Sequence, residues 1–285
     1  GQRRKGRAGG GLCGGCFAWL RRGAERMARG PLAPSAHDDD DDAGFSDISE
    51  CESYSEAFFE QPVGDRGAVF SVKHGLRGLV FGEDAAEGIP LWIADMDLPC
   101  SREICRSLQR RLEHPTFGYT YQPKQMWEAA QQWIAEEHGW QVSLESFVFC
   151  PSIVTAVAAC IWAFTSPGDA ILLMTPLYEP LQKVVEGNGR QLRRHELALR
   201  DGRYRWEPDR LRADLQGCKM LIFCNPHNPG GRAWSSDELQ ALAAHCAEAG
   251  VLVASDEIWA DWCLFGRRHR PLAAEVAASG RPASV

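Results

Sequence analysis

Between residues 147 and 256, short continuous apolar runs alternate with segments of helical spacing. The runs at 147–150, 170–174, 219–224 and 251–254 have the length and continuity of strands covered on both faces. Between them, 153–164, 178–186 and 235–249 read as helices. The first closes at Pro167-Gly168 and the second at Gly187 or Gly189. The third opens with Ser235 and Glu238 spaced for a capping box and carries the apolar stripe Leu239, Leu242, Ala243 and Cys246. Strand and helix in strict alternation predict an α/β fold built on a mostly parallel, doubly wound sheet.

Upstream the pattern is looser. Leu91-Trp92-Ile93-Ala94 reads as a short strand running into Asp95-Met96-Asp97. A helix is expected over 101–112, with Ile104, Cys105, Leu108 and Leu112 on one face. A second is expected from Pro123 to His138, with Met126, Trp127, Ala130, Trp133 and Ile134 together and Gly139 as its stop. Residues 1–60 match neither period, and as a low-complexity segment they bury too little apolar surface to order.

Charge sharpens that division. The 285 residues carry a net charge of −7, yet 1–30 hold eight basic groups against Glu25, and 31–60 hold ten acids with no Lys or Arg. The remaining body has no broad basic field, which argues against a nucleic-acid partner. The longest apolar stretch, 153–164, stops at Thr165-Ser166-Pro167-Gly168, too short to cross a bilayer. Eleven scattered cysteines lack disulfide-framework spacing and point to a reducing, cytoplasmic setting. The Arg-rich start leaves organelle targeting, or initiation at Met27, as alternatives. Cys13-Gly14-Gly15-Cys16 has no second Cys/His pair near it, so no metal site is expected.

In parallel sheets, ligands bind beyond the carboxyl ends of the strands. Four such edges carry polar or aromatic residues: Pro151-Ser152-Ile153-Val154, Thr175-Pro176-Leu177-Tyr178, the stretch from Asn225 to Gly231, and Ser255-Asp256-Glu257-Ile258-Trp259. Free N–H groups at the start of the 153–164 helix suit a phosphate. Tyr178 offers a stacking face, Asn228 a donor for an oxyanion, and Asp256 a counter-charge for a protonated ring nitrogen. Phosphate, aromatic ring, oxyanion and basic nitrogen together describe pyridoxal phosphate. Each residue also has a plainer reading, as helix cap, core aromatic or turn former. Glu257 and His227 read as a surface or supporting acid and a loop histidine.

The order of these segments resembles the large domain of the class I/II aminotransferase superfamily, of fold-type-I pyridoxal-phosphate architecture. Trp92-Ile93-Ala94-Asp95-Met96-Asp97 and Phe117-Gly118-Tyr119-Thr120 resemble more narrowly its cystathionine β-lyase (cysteine-S-conjugate β-lyase) branch. The resemblance covers about residues 66–285. It implies an N-terminal arm or small-domain portion over 61–115 and a cofactor-binding large domain over 116–285, incomplete at its carboxyl end, with most of the small domain missing. It also implies that Ser152 and the backbone of Ile153 and Val154 bind phosphate. Tyr178 stacks on the ring, Asn228 contacts the ring oxygen, and Asp256 pairs with the ring nitrogen. Tyr119 reaches the phosphate region of a neighbouring subunit in a homodimer. Trp259 stands where the family has His or Tyr, and its indole N–H can donate but not accept.

No catalytic residue of that family is expected within the chain, because its Schiff-base lysine, in a Ser-x-Ser-Lys-like segment, falls beyond Val285. Little or no turnover is then expected from these 285 residues alone. For the whole protein the resemblance implies carbon–sulfur β-elimination on a small amino-acid substrate. Transamination is the alternative within the fold, and a non-catalytic cofactor-binding or regulatory homologue is the alternative outside it.

Overall fold

A computed structural model of the chain describes Phe58, Glu60 and residues 64–279. The segment expected to be unstructured, with Cys13, Cys16 and the acidic run at 38–42, lies outside the described residues except for Phe58 and Glu60. The chain divides into two compact units, one ending at Phe117 and the other beginning at Gly118.

The first unit is held by charge. It contains α1 (Val72–Gly75), α2 (Arg77–Phe81) and α3 (Arg102–Leu112). Lys73, only 5% exposed, donates to the carbonyl of Asp95 at 2.7 Å and to Asp97 Oδ2 at 2.6 Å. Arg66 pairs with both Asp95 and Asp97, and His74 Nε2 lies 2.8 Å from Asp97 Oδ1. The Asp97 carboxyl is held well below the usual carboxylate range, first by its hydrogen bond from Lys73 and then by that from His74. Trp92 Nε1 donates to the Lys73 carbonyl at 3.0 Å, and its ring meets Phe81 edge-on. Residues 91–94 are therefore not the strand their apolar run suggested. Two aspartates just downstream are drawn into the ion cluster, and the backbone bends to serve it. Helix α3 forms as expected, with Ser101 Oγ accepting from the Ile104 N–H, but Ile104, Leu108 and Leu112 are all more than half exposed.

The second unit is the expected parallel, doubly wound structure. Strands β1 (Ala170–Thr175), β2 (Gln191–Glu196), β5 (Cys218–Cys224) and β6 (Leu252–Asp256) form one parallel sheet in the order β2-β1-β5-β6. Strands β3 (Ala198–Arg200) and β4 (Arg203–Arg205) make a separate hairpin. Alternation within the sheet strands sends Ile171, Leu173, Met220 and Ile222 to one face and Leu172, Leu221, Phe223 and Val253 to the other. Helices α5 (Ile153–Phe164) and α6 (Glu179–Gly187) cover the first face through Val157, Ile161, Leu181 and Val185. Helices α7 (Pro208–Leu215), α8 (Ser236–Ala249) and α9 (Leu272–Ala278) cover the second. The capping box of Ser235 and Glu238 is present, and Leu239, Leu242 and Cys246 are buried as their stripe predicts.

Helix α4 (Lys124–His138) ends at Gly139, which takes φ 66° and caps the last turn. Residues 147–150 depart from expectation. They are extended but unpaired with any strand among the described residues, and Val148 and Phe149 are 71% and 56% exposed. An apolar tetrapeptide suits a buried strand only where a neighbouring ladder takes up its backbone groups. Among the described residues, no helix is long and apolar enough to cross a membrane.

Candidate active site at the carboxyl edge of the sheet

Parallel order places the ends of β1, β5 and β6 along one edge: Thr175, Cys224 and Asp256. Four candidate edges become three strand ends and one helix start, because 147–150 is not in the sheet. Helix α5 runs back against the strands, since its carboxyl end leads directly into β1, and so its N-terminus comes to the same edge. Ile153 belongs to the apolar cluster that includes Ile222, Leu252 and Ala254, which ties that N-terminus to the β5–β6 side. Ser152 Oγ accepts from the Thr155 N–H at 3.2 Å and lies 2.9 Å from Thr155 Oγ1. The N–H groups of Ile153 and Val154 belong to the first turn and have no acceptor within the helix. They are available to an anion, with the positive end of the helix dipole behind them.

Tyr178 occupies the cap position of α6, directly after the β1 edge, with 44% of its surface exposed. Asn228 sits in the turn after β5, which folds around the Cys224 thiol. That sulfur donates to the Pro226 carbonyl at 3.2 Å and accepts from the Asn228 N–H at 3.4 Å. Burial pushes the Cys224 thiol up to about 12, so it serves here as a neutral hydrogen-bonding group rather than a nucleophile. His227 lies in the loop, as expected, but is buried in it. It is 3% exposed, burial lowers it to about 4, and its backbone bridges to Arg232. A Cβ on Gly230 would lie 2.4 Å from His227 Nδ1, so the turn requires glycine there.

Asp256 is 6% exposed, and its Oδ1 accepts from the Ile258 N–H at 3.2 Å. Burial raises its pKa, and the charge of Glu257 adds to the rise. A carboxylate in this position gains most when a cation approaches it. Trp259 and Asn228 line a groove of about 1440 Å³, whose walls also carry Arg203, Arg205, Arg267 and Arg268. Tyr119 is fully exposed and has no recorded contact with these groups.

The residues fit a phosphorylated pyridine ligand by donor chemistry: helix amides with no acceptor in their own helix, an amide side chain, an aromatic face, and a buried carboxylate with no cationic partner among the described residues. A family profile described as "Aminotransferase class I and II" matches residues 87–279. The chain belongs to that family. It is 40% identical over 205 residues to cystathionine beta-lyase PatB of Bacillus subtilis, covering 71% of this chain and 52% of that protein. It is 31% identical to protein MalY of Escherichia coli, covering 65% and 48% of the two chains. The chain thus spans about half the length of the curated relatives it matches. Among solved structures it resembles a PLP-bound putative aminotransferase from Clostridium difficile 630, with a TM-score of 0.73 and 32% identity over 77% of this chain and 56% of that one. It also resembles the PLP-bound C-S lyase from Staphylococcus hominis, with a TM-score of 0.71 and 29% identity over 79% and 56%. Within the family, these similarities place it in the cystathionine β-lyase and C–S lyase branch.

Periodicity left one part of the site unread. Glu257, taken as a surface or supporting acid, is held by three donors. Its Oε1 accepts from Ser255 Oγ at 2.7 Å and the Leu272 N–H at 2.9 Å, and its Oε2 lies 2.8 Å from His269 Nε2. The sequence signal was the adjacent acid pair, but its partner lies twelve residues away across a loop.

Proposed function

We propose that the chain carries the cofactor-holding part of a pyridoxal 5'-phosphate-dependent carbon–sulfur β-lyase. As the whole protein, it would convert cystathionine or cysteine S-conjugates to a thiol, pyruvate and ammonia. What supports this reading is that buried Asp256, partly buried Asn228, exposed Tyr178 and the α5 N-terminus all follow elements that end at the carboxyl edge of the sheet, in a chain whose relatives bear lyase names. Residues 116–285 act as the large domain and 61–115 as the N-terminal arm. The assembly is a cytoplasmic homodimer in which Tyr119 extends to the phosphate region of the partner subunit.

The cofactor supplies an electron sink for a carbanion at the substrate α-carbon. The chain's own groups make that sink effective. The amides of Ile153 and Val154, with Ser152 fixing the helix start, anchor the phosphate. Tyr178 sets the plane of the ring, and Asn228 donates to its oxygen. Asp256 keeps a proton on the ring nitrogen, and its burial strengthens the pairing because water screens it poorly there. Trp259, which donates through its indole N–H alone, replaces a group able to exchange a proton at the ring oxygen.

The proton at the α-carbon requires a lysine amine. Lys124 and Lys183 make i,i+4 ion pairs on helix surfaces, and Lys219 lies near the start of β5, away from its carboxyl end. On this reading the lysine is supplied from beyond Val285. Incubating the 285-residue chain with the cofactor and borohydride should therefore give no stoichiometric adduct at a single lysine, only scattered reduction onto exposed amines such as Lys124 and Lys183. The full-length protein should release pyruvate from cystathionine. Amino-group transfer to a keto acid without pyruvate release would instead make it a transaminase.

A further inference from the structure

Glu257 lies at the head of a polar chain, buried at His269 and opening to solvent at Asp261, that the proposed chemistry does not use. His269, whose side chain is 1% exposed, meets Glu257 through Nε2, and its Nδ1 is buried with no partner among the described residues. The proton facing Glu257 is therefore on Nε2, the tautomer that leaves a bare lone pair rather than an unpaired N–H inside the protein. The His269 ring stands edge-on to His138 at 5.1 Å. His138 Nε2 in turn lies 2.9 Å from Asp261 Oδ1, which also accepts from Trp133 Nε1 at 3.0 Å. Among the described residues, no group of three or more His, Cys, Asp or Glu is placed to hold a metal ion.

Three donors converge on Glu257 from Ser255, Leu272 and His269, and none of them reaches Asp256. Such a set fixes the place of the Glu257 carboxylate beside the end of β6. We propose that Glu257, locked by His269, is a positioning residue for Asp256: a fixed second negative charge that strengthens the hold of Asp256 on the protonated nitrogen of a bound pyridine ring. This rests on the cofactor reading above. The Ser255 and Leu272 bonds fix the bend after β6, and the His269 bond stops the longer carboxylate from swinging round to compete for the ring. Burial and the Glu257 charge both act to raise the proton affinity of Asp256, in accord with this role.

The test is a double-mutant cycle on the full chain, reading the dissociation constant of pyridoxal 5'-phosphate by quenching of tryptophan fluorescence. Glu257→Gln keeps an oxygen for Ser255 and Leu272 and removes the charge, while its NH2 faces His269 Nε2, which can accept once the ring proton moves to Nδ1. It should weaken binding roughly three- to tenfold, the scale of one nearby charge in a partly screened site. In an Asp256→Asn background the same substitution should have no further effect, because Glu257 acts through Asp256. His269→Asn should behave as Glu257→Gln does, with an unchanged circular-dichroism spectrum. Equal losses in both backgrounds, or no loss in either, would overturn the proposal. If Asp256→Asn itself leaves the affinity unchanged, the cofactor reading fails instead, so the two failures are distinct.

Discussion

The two units of this chain are stabilised by opposite means. In the second, the parallel sheet lies between two apolar clusters, and Ile171, Leu172, Leu221 and Ile161 are wholly buried. In the first, described large apolar side chains such as Leu79 and Phe70 stand 83% and 94% exposed, while a buried lysine, an arginine and a histidine converge on two aspartates. Apolar burial is indifferent to salt and to moderate pH, whereas a cluster of partly exposed ion pairs responds to both. The contrast extends to single carboxyls. Asp97 is stabilised as an anion by its partners, and Asp256 is disfavoured as one by its burial.

The largest expected effect breaks the comparison from the side of the sheet. Leu221→Ala should cost about 2–5 kcal/mol in urea unfolding of the second unit, because the site cannot collapse around the lost methyls. Leu79→Ala, at an exposed position of the first unit, should stay within about 0.5 kcal/mol of wild type.

Next in size is Asp256→Asn. It should weaken cofactor binding about a hundredfold, as expected for removing one partner of a buried charge pair. The cofactor-free fold should become no less stable at neutral pH, since the raised pKa of Asp256 means that its ionised form opposes folding there. A fall in cofactor-free stability would show that this carboxylate has a structural partner.

Acid should separate the units by sign. The depressed Asp97 pKa contributes stability that is complete above its unfolded value, about 4, and is lost as the pH falls further. Asp256, with its pKa raised, contributes in the other direction, its fold preference greatest at low pH and lost as the pH rises through the folded value. Hydrogen exchange across residues 66–97 should therefore accelerate below about pH 4, relative to its intrinsic rate, before exchange in β1 and β5 does. The smallest effect is that of salt. Raising sodium chloride from 0.1 to 1 M should speed exchange in 66–97 about two- to threefold and leave β5 unchanged.

What the sequence made legible follows the same contrast. Strands β1, β5 and β6 were readable as continuous apolar runs, and helices α5, α6 and α8 because their apolar residues repeat at helical spacing and stop near Gly or Pro. Strand β2 was missed because Gln191-Leu192-Arg193-Arg194-His195-Glu196 is an edge strand of mostly polar residues, exposed at Gln191, Arg193, Arg194 and Glu196 although His195 is buried. Residues 91–94 and 147–150 were misread for the opposite reason, since apolar runs reveal burial tendency but not whether a ladder partner exists. At the site, Asp256, Asn228 and Tyr178 were singled out by their places after strands, and the α5 start by its place after an apolar run that is not a strand of the sheet. The Glu257–His269–His138 chain was not, because its members come from three separate segments and only tertiary packing joins them.

The account turns on Asp256 facing the nitrogen of a pyridine ring. The most direct test is nitrogen NMR of pyridoxal 5'-phosphate labelled with ¹⁵N in its ring and bound to the full chain. The signal should be that of a protonated nitrogen, held well above the pH at which free cofactor loses that proton, and Asp256→Asn should move it to the neutral position. A bound signal that titrates as in free cofactor, or that is the same in wild type and Asp256→Asn, would contradict the account.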